Sequence, residues 1–100
     1  PKNRKGVMKM AKKVYVYTKN NCVQCKFVKK FLEKANIEFS EVNIDNNLAD
    51  MEFVKAQGFA MAPVVFYGEI DKNGGLLLET ATKFAGNNQT ELKKLQEFFV

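Results

Sequence analysis

The sequence has no tryptophan and no histidine, and only two cysteines and two prolines in 100 residues. Without histidine and with two cysteines, one chain cannot supply the four nitrogen and sulfur ligands of a structural zinc site. Two cysteines also make no disulfide framework. A chain of this length does not need one, because it can bury a core of its own. Long apolar runs are missing as well. Stretches such as Ala60–Tyr67 fall far short of the roughly 20 residues that span a bilayer. No apolar segment follows the basic start as in a secretory signal. The expectation is a cytoplasmic domain with no membrane association.

Acidic residues are absent from positions 1–13, which hold Lys2, Arg4, Lys5, Lys9, Lys12 and Lys13. The formal charge of +5 therefore belongs to the start of the chain. Removing those six from sixteen cations leaves ten against all eleven acids, a net charge of −1 for residues 14–100. Residues 1–12 read as a basic, solvated arm and 13–100 as the domain. A nucleic-acid partner is not expected, because the basicity is not spread over a domain face.

Strand and helix patterns alternate along the rest. Lys13–Thr18 is rich in β-branched and aromatic residues and reads as a strand. From Cys22 to Ala35, Phe27, Val28, Phe31, Leu32 and Ala35 recur at helical spacing, and Asn36 suits a left-handed cap. Glu38–Ile44 reads as a second strand. Asp45-Asn46-Asn47 offers caps for a helix over Leu48–Gln57, with Gly58 placed to end it. Pro63 opens a third strand, Val64–Tyr67. After a polar turn over Gly68–Gly75, Leu76–Thr82 reads as a fourth. A last amphipathic helix follows from Thr90, which can cap it. The order βαβαββα predicts an α/β domain with a four-stranded mixed sheet and three flanking helices. Parallel pairing is expected among the early strands and antiparallel pairing for the last two.

The two cysteines fall in Cys22-Val23-Gln24-Cys25, after a strand and at the first turn of a helix. Free N–H groups and the positive end of the helix favour a thiolate there, and the thiolate is the reacting species in disulfide exchange. Each unit of thiol acidification corresponds to about 1.4 kcal/mol. Lys19 and Lys26 add cations nearby. Cys22 lies closest to the free helix end and solvent, and Cys25 one turn further in. The spacing assigns attack to Cys22 and resolution to Cys25, with Val23 and Gln24 tuning the pair. A purely structural disulfide is a poor alternative, since so short a loop constrains the unfolded chain little. Tyr15, Tyr17 and Tyr67 read as packing residues. Asp45, Asp50 and Glu52 read as caps and helix-dipole partners. Phe59 and Met61 are candidates for a docking patch.

Val16-Tyr17-Thr18-Lys19-Asn20-Asn21-Cys22-Val23-Gln24-Cys25-Lys26 resembles the active-site segment of glutaredoxins. The Cys-Val-Gln-Cys form is closest to the NrdH-redoxins. Met61-Ala62-Pro63-Val64-Val65 resembles the proline loop of the same family, and the similarity runs from Lys13 to the end. The resemblance implies a thioredoxin-like fold, a cis peptide bond before Pro63, and a Met61 backbone open to pairing with a bound segment. It implies a redox-active disulfide as the only cofactor, with no metal. Electrons would come from NADPH through thioredoxin reductase and pass to a class Ib ribonucleotide reductase. Glutathione would be a weak partner at most. Lys19, Val23, Gln24, Met61, Ala62, Pro63 and Gly86 are the implied contacts to substrate or partner, and the chain is expected to be a monomer.

The sequence also departs from the family. Met61-Ala62-Pro63 stands where glutaredoxins have Thr-Val-Pro, and Ala85-Gly86-Asn87-Asn88 where they have Gly-Gly and an acid. Phe84–Gln89 lacks the Trp, Phe, Arg and Pro of the NrdH-redoxin segment. The turn Gly68–Gly75 is longer than the family's. Two other readings remain beside the first: a glutathione-dependent glutaredoxin, marked by Lys19, and an iron–sulfur-carrying or regulatory binding module.

Overall fold

A computed structural model describes residues 12–99. All of the basic arm except Lys12 lies outside them. Seven main elements follow one another: β1 (Lys12–Thr18), α1 (Val23–Lys34), β2 (Ser40–Asn43), α2 (Leu48–Ala56), β3 (Val64–Glu69), β4 (Thr82–Ala85) and α3 (Gln89–Phe98). A short 3-10 turn over Ile44–Asn46 joins β2 to α2. The sheet order is β2-β1-β3-β4. This is the mixed four-stranded sheet with three helices that the pattern predicted.

β1 and β2 are parallel, with Tyr17 opposite Val42 and Thr18 opposite Asn43. Parallel pairing of the early strands thus holds for β1 and β2, whereas β3 is antiparallel to β1 although a helix precedes it, which corrects the expectation for that strand. Tyr17 faces Val64 in the register, so β3 starts at the end of the sheet where β1 finishes. The segments before β3 and after β1, which carry Pro63 and Cys22, thus lie at the same end.

Alternation along the strands splits the core between two faces. Val14, Val16 and Val65 point toward Val28 and Leu32 of α1 and Leu92 and Leu95 of α3. Tyr17, Val64 and Phe66 point toward Val54 of α2. Burying both faces of the central strands is what their near-continuous apolar sequences require. Lys12 is the first residue of β1, and its Nζ donates to the Phe98 carbonyl at 2.7 Å. Among the described residues, no helix is long and apolar enough to cross a membrane.

The helix ends follow local chemistry. Asn36 has φ 59° after α1, and the Asn47 side chain accepts from the Asp50 N–H to cap α2. α3 is capped by Asn88, which accepts from the Glu91 N–H at 3.1 Å, and not by Thr90. Both residue types cap helices, and the cap falls two residues before Thr90, within the usual uncertainty of helix ends read from apolar spacing.

The fourth strand also differs from its expected place. It spans Thr82–Ala85, and Leu76 makes only an isolated bridge to Ile70. Three consecutive leucines cannot all face one side of a sheet. Leu76 packs against the α2-side core while Leu78 is exposed. Phe84, opposite Val65, is the residue that β4 buries. The polar turn before it is tied by Asp71, whose Oδ1 accepts from the N–H groups of Asn73 and Gly75.

Candidate active site

The loop after β1 sets the position of Cys22. Asn21 has φ 56°, a left-handed conformation that asparagine tolerates better than most residues. The Asn20 N–H donates to Asp45 Oδ2 at 2.8 Å, and the Asn43 side chain donates to Asn20 Oδ1 at 3.0 Å. Both partners belong to the β2 end and the 3-10 turn. Asp45 therefore pins the loop before Cys22, a different role from the cap read in the sequence. Thr18, buried at the end of β1, donates to Glu41, whose carboxylate also accepts from Lys29 of α1 at 3.1 Å. These bonds hold the end of β1, α1 and β2 together just behind the cysteines.

Cys22 is the N-cap of α1, and its Sγ accepts from the Cys25 N–H at 3.1 Å. Cys22 and Cys25 are joined by a disulfide across a Cα–Cα distance of 5.2 Å. Their environments are unequal: Cys22 is half-buried, whereas Cys25 is 2 % exposed. The sulfur at the helix start is thus the one that a second molecule can reach. Apolar side chains stand in solvent along the same stretch, with Val23 62 % and Phe27 53 % exposed. The first turn of α1 contains no acidic residue.

Pro63 is fully buried, and the Ala62–Pro63 peptide bond is cis. Ala62 is half-buried and Met61 exposed. Neither backbone group of Met61 makes a backbone hydrogen bond among the described residues. Lys19 and Met61 line one cleft of about 170 Å³, floored by Ile44, Val54 and Phe59. Five of the seven expected contact residues fall into two sets. Lys19 and Met61 flank the cleft, while Gln24, Pro63 and Gly86 are joined through hydrogen bonds. The Gly86 N–H donates to the Pro63 carbonyl at 2.8 Å, and the Asn87 N–H donates to Gln24 Oε1 at 2.9 Å. Gly86 has φ 82°, and a Cβ there would stand 3.3 Å from Gln24 Oε1. Both the backbone and the close approach call for glycine.

Tyr17 is the titratable group whose environment is clearly shifted. Burial raises its phenol above the ordinary value, and the negative charge of Asp50 and the neighbouring Tyr15 add to this. The phenol is therefore held neutral through the physiological range and acts as a packing group between Phe53 and Phe66. Among the described residues, no group of three or more cysteine, aspartate or glutamate side chains gathers as for a metal ion.

Residues 14–70 match the family model described as Glutaredoxin. The glutaredoxin-like protein NrdH of Lactococcus lactis subsp. cremoris (strain MG1363) is 52 % identical over 52 residues, covering 52 % of this chain and 72 % of that protein. The NrdH of Escherichia coli (strain K12) is 36 % identical over 62 residues, 62 % of this chain and 76 % of that protein. The solved structure of the E. coli NrdH-redoxin, described as a glutaredoxin-like protein with a thioredoxin-like activity profile, superposes with a TM-score of 0.65. It is 28 % identical, over 83 % of this chain and 93 % of that one. Glutaredoxin 1 from Francisella tularensis superposes at 0.56 with 25 % identity, over 87 % and 94 % of the two chains. The family match stops at Ile70, where the long connection between β3 and β4 begins.

Proposed function

Because the chain belongs to the glutaredoxin family and is a thiol–disulfide oxidoreductase, we propose that it works as an NrdH-redoxin-type electron donor. In this reading thioredoxin reductase re-reduces it, and a class Ib ribonucleotide reductase is its client. It acts as a monomer in the cytoplasm, and the Cys22–Cys25 pair is its only electron store. The observation that carries the reading is the unequal exposure of two cysteines at a helix start, in a chain 52 % identical to an NrdH over the matched region.

The chemistry follows from that inequality. The Cys22 thiolate attacks one sulfur of a client disulfide. That bond breaks, a mixed disulfide forms, and the first client thiolate leaves and takes up a proton. Cys25 then gives up its proton, and its thiolate attacks Cys22 Sγ. The second client thiolate leaves and the Cys22–Cys25 disulfide closes. Two electrons and two protons pass to the client. Cys25, shielded from solvent, meets no external disulfide and is reserved for this second step.

On the first turns of α1 and in the proline loop, Val23, Phe27 and Met61 offer exposed apolar surface to the client. The backbone of Met61, which has no backbone partner among the described residues, can add an extended client segment as a further strand. The preference for a protein reductant over glutathione is supported near the start of α3. There the N–H groups of Gly86 and Asn87 are already bonded within the chain, so a free carboxylate would have to displace those partners.

Insulin reduction by the purified protein should be sustained by NADPH with thioredoxin reductase. Glutathione with glutathione reductase should sustain it little. Turnover with the glutathione system and none with thioredoxin reductase would replace this reading with a glutathione-dependent glutaredoxin.

A further inference from the structure

Gln24 lies between the two cysteines, yet its side chain is bonded to a residue 63 positions away. The Asn87 N–H donates to its Oε1 at 2.9 Å. Next to it, the Gly86 N–H donates to the Pro63 carbonyl at 2.8 Å. The Asn87 side chain accepts in turn from Gln89 Nε2 at 2.8 Å, within the first turn of α3. A short chain of bonds thus links three segments at this end of the sheet. They are the first turn of α1, the turn between β4 and α3, and the proline loop. Gln24 is the only member of that chain that lies within the ring closed by the disulfide.

That position has a redox consequence. With the disulfide closed, the first turn of α1 is fixed, and Gln24 meets Asn87 without further ordering. When the ring opens, the turn from Cys22 to Cys25 gains freedom, and the same bond costs more entropy to make. A contact made more readily in one of two states shifts the equilibrium toward that state by the difference. We infer that Gln24 is a positioning residue for the redox step, whose amide carbonyl on the Asn87 N–H favours the disulfide-closed turn and makes the dithiol a stronger reductant. The inference rests on the cycling of Cys22 and Cys25 between dithiol and disulfide. It does not depend on which reductase or client is used.

The test is Gln24→Met, which keeps the length of the side chain and removes the acceptor. Gln24 is solvent-exposed, so the fold should tolerate it. The protein is equilibrated in dithiothreitol redox buffers, and the oxidised fraction is read by thiol alkylation and mass spectrometry. The equilibrium constant for disulfide formation should fall at least twofold. That corresponds to a potential less negative by at least about 9 mV, at 29.6 mV per tenfold for two electrons. Hydrogen exchange at the Asn87 amide of the oxidised protein should quicken in Gln24→Met and stay slow in Gln24→Glu, which retains an acceptor oxygen. A change below twofold, a more negative potential, or unchanged Asn87 exchange in Gln24→Met would overturn the inference. Because neither readout uses a reductase or a client, failure of the proposed donor role leaves these outcomes interpretable.

Discussion

Cys22→Ser should bring disulfide reduction down to the uncatalysed background while leaving the fold in place. Cys22 is the half-exposed sulfur of the only two cysteines in the chain. Its partner is 2 % exposed and cannot substitute as the attacking group. A serine hydroxyl is not ionised near neutral pH, so no comparable nucleophile is left. The substitution is mild for structure, because serine is a favoured N-cap and can accept from the Cys25 N–H as the Cys22 sulfur does. Compared with the reduced parent, the variant should unfold within about 1 kcal/mol. Insulin turbidity assays and urea titrations followed by circular dichroism provide the two readings. Residual reductase activity in a folded Cys22→Ser protein would remove Cys22 from the attacking role.

The largest effect on stability is expected from Phe66→Ala. Phe66 is 1 % exposed in β3 and stands at the centre of the α2-side core. Its ring meets Tyr17 edge-on with centroids 5.5 Å apart, and lies 5.6 Å from Phe53 and 6.4 Å from Phe59. Truncating a buried phenylalanine costs about 3–5 kcal/mol through lost transfer energy and the cavity left behind. Whole-domain stability is only about 5–15 kcal/mol. For a domain of this size, Tm should fall on the order of 15–30 °C. Phe59 also lines the cleft beside Lys19 and Met61, so the loss should loosen that wall before the whole fold gives way. A thermal melt lowered by less than about 5 °C would mean that this face of the sheet is not packed as described.

The two halves of the site were not equally legible in the sequence. Cys22 and Cys25 are readable because the asymmetry between them is local. A strand, a polar loop and a helix start fix which sulfur is outermost, and no distant residue is needed to infer it. The proline loop is readable by resemblance, while its closeness to the cysteines depends on the antiparallel register of β3. Helix spacing alone suggested the opposite direction. Gln24 shows the limit most clearly. Its position between the cysteines suggests that it tunes the pair, but the means is hidden, because its partner is the Asn87 backbone N–H, which has no side-chain signature. The pinning of Asn20 by Asp45 was hidden for the same reason, since an acid near a helix start has an adequate local explanation as a cap. In the fourth strand, composition competed with register. Leu76-Leu77-Leu78 is the more apolar segment, but Phe84 is the residue that falls opposite Val65 and reaches the core.

The unequal roles of the two sulfurs are tested most directly by Cys25→Ser incubated with an oxidised client, such as insulin, and analysed intact by mass spectrometry without reductant. A mixed disulfide joined through Cys22 should accumulate, because attack proceeds and resolution cannot. The parallel incubation of Cys22→Ser should yield no adduct. Equal adduct formation through Cys25 in Cys22→Ser would contradict the assignment of Cys22 as attacker and Cys25 as resolver.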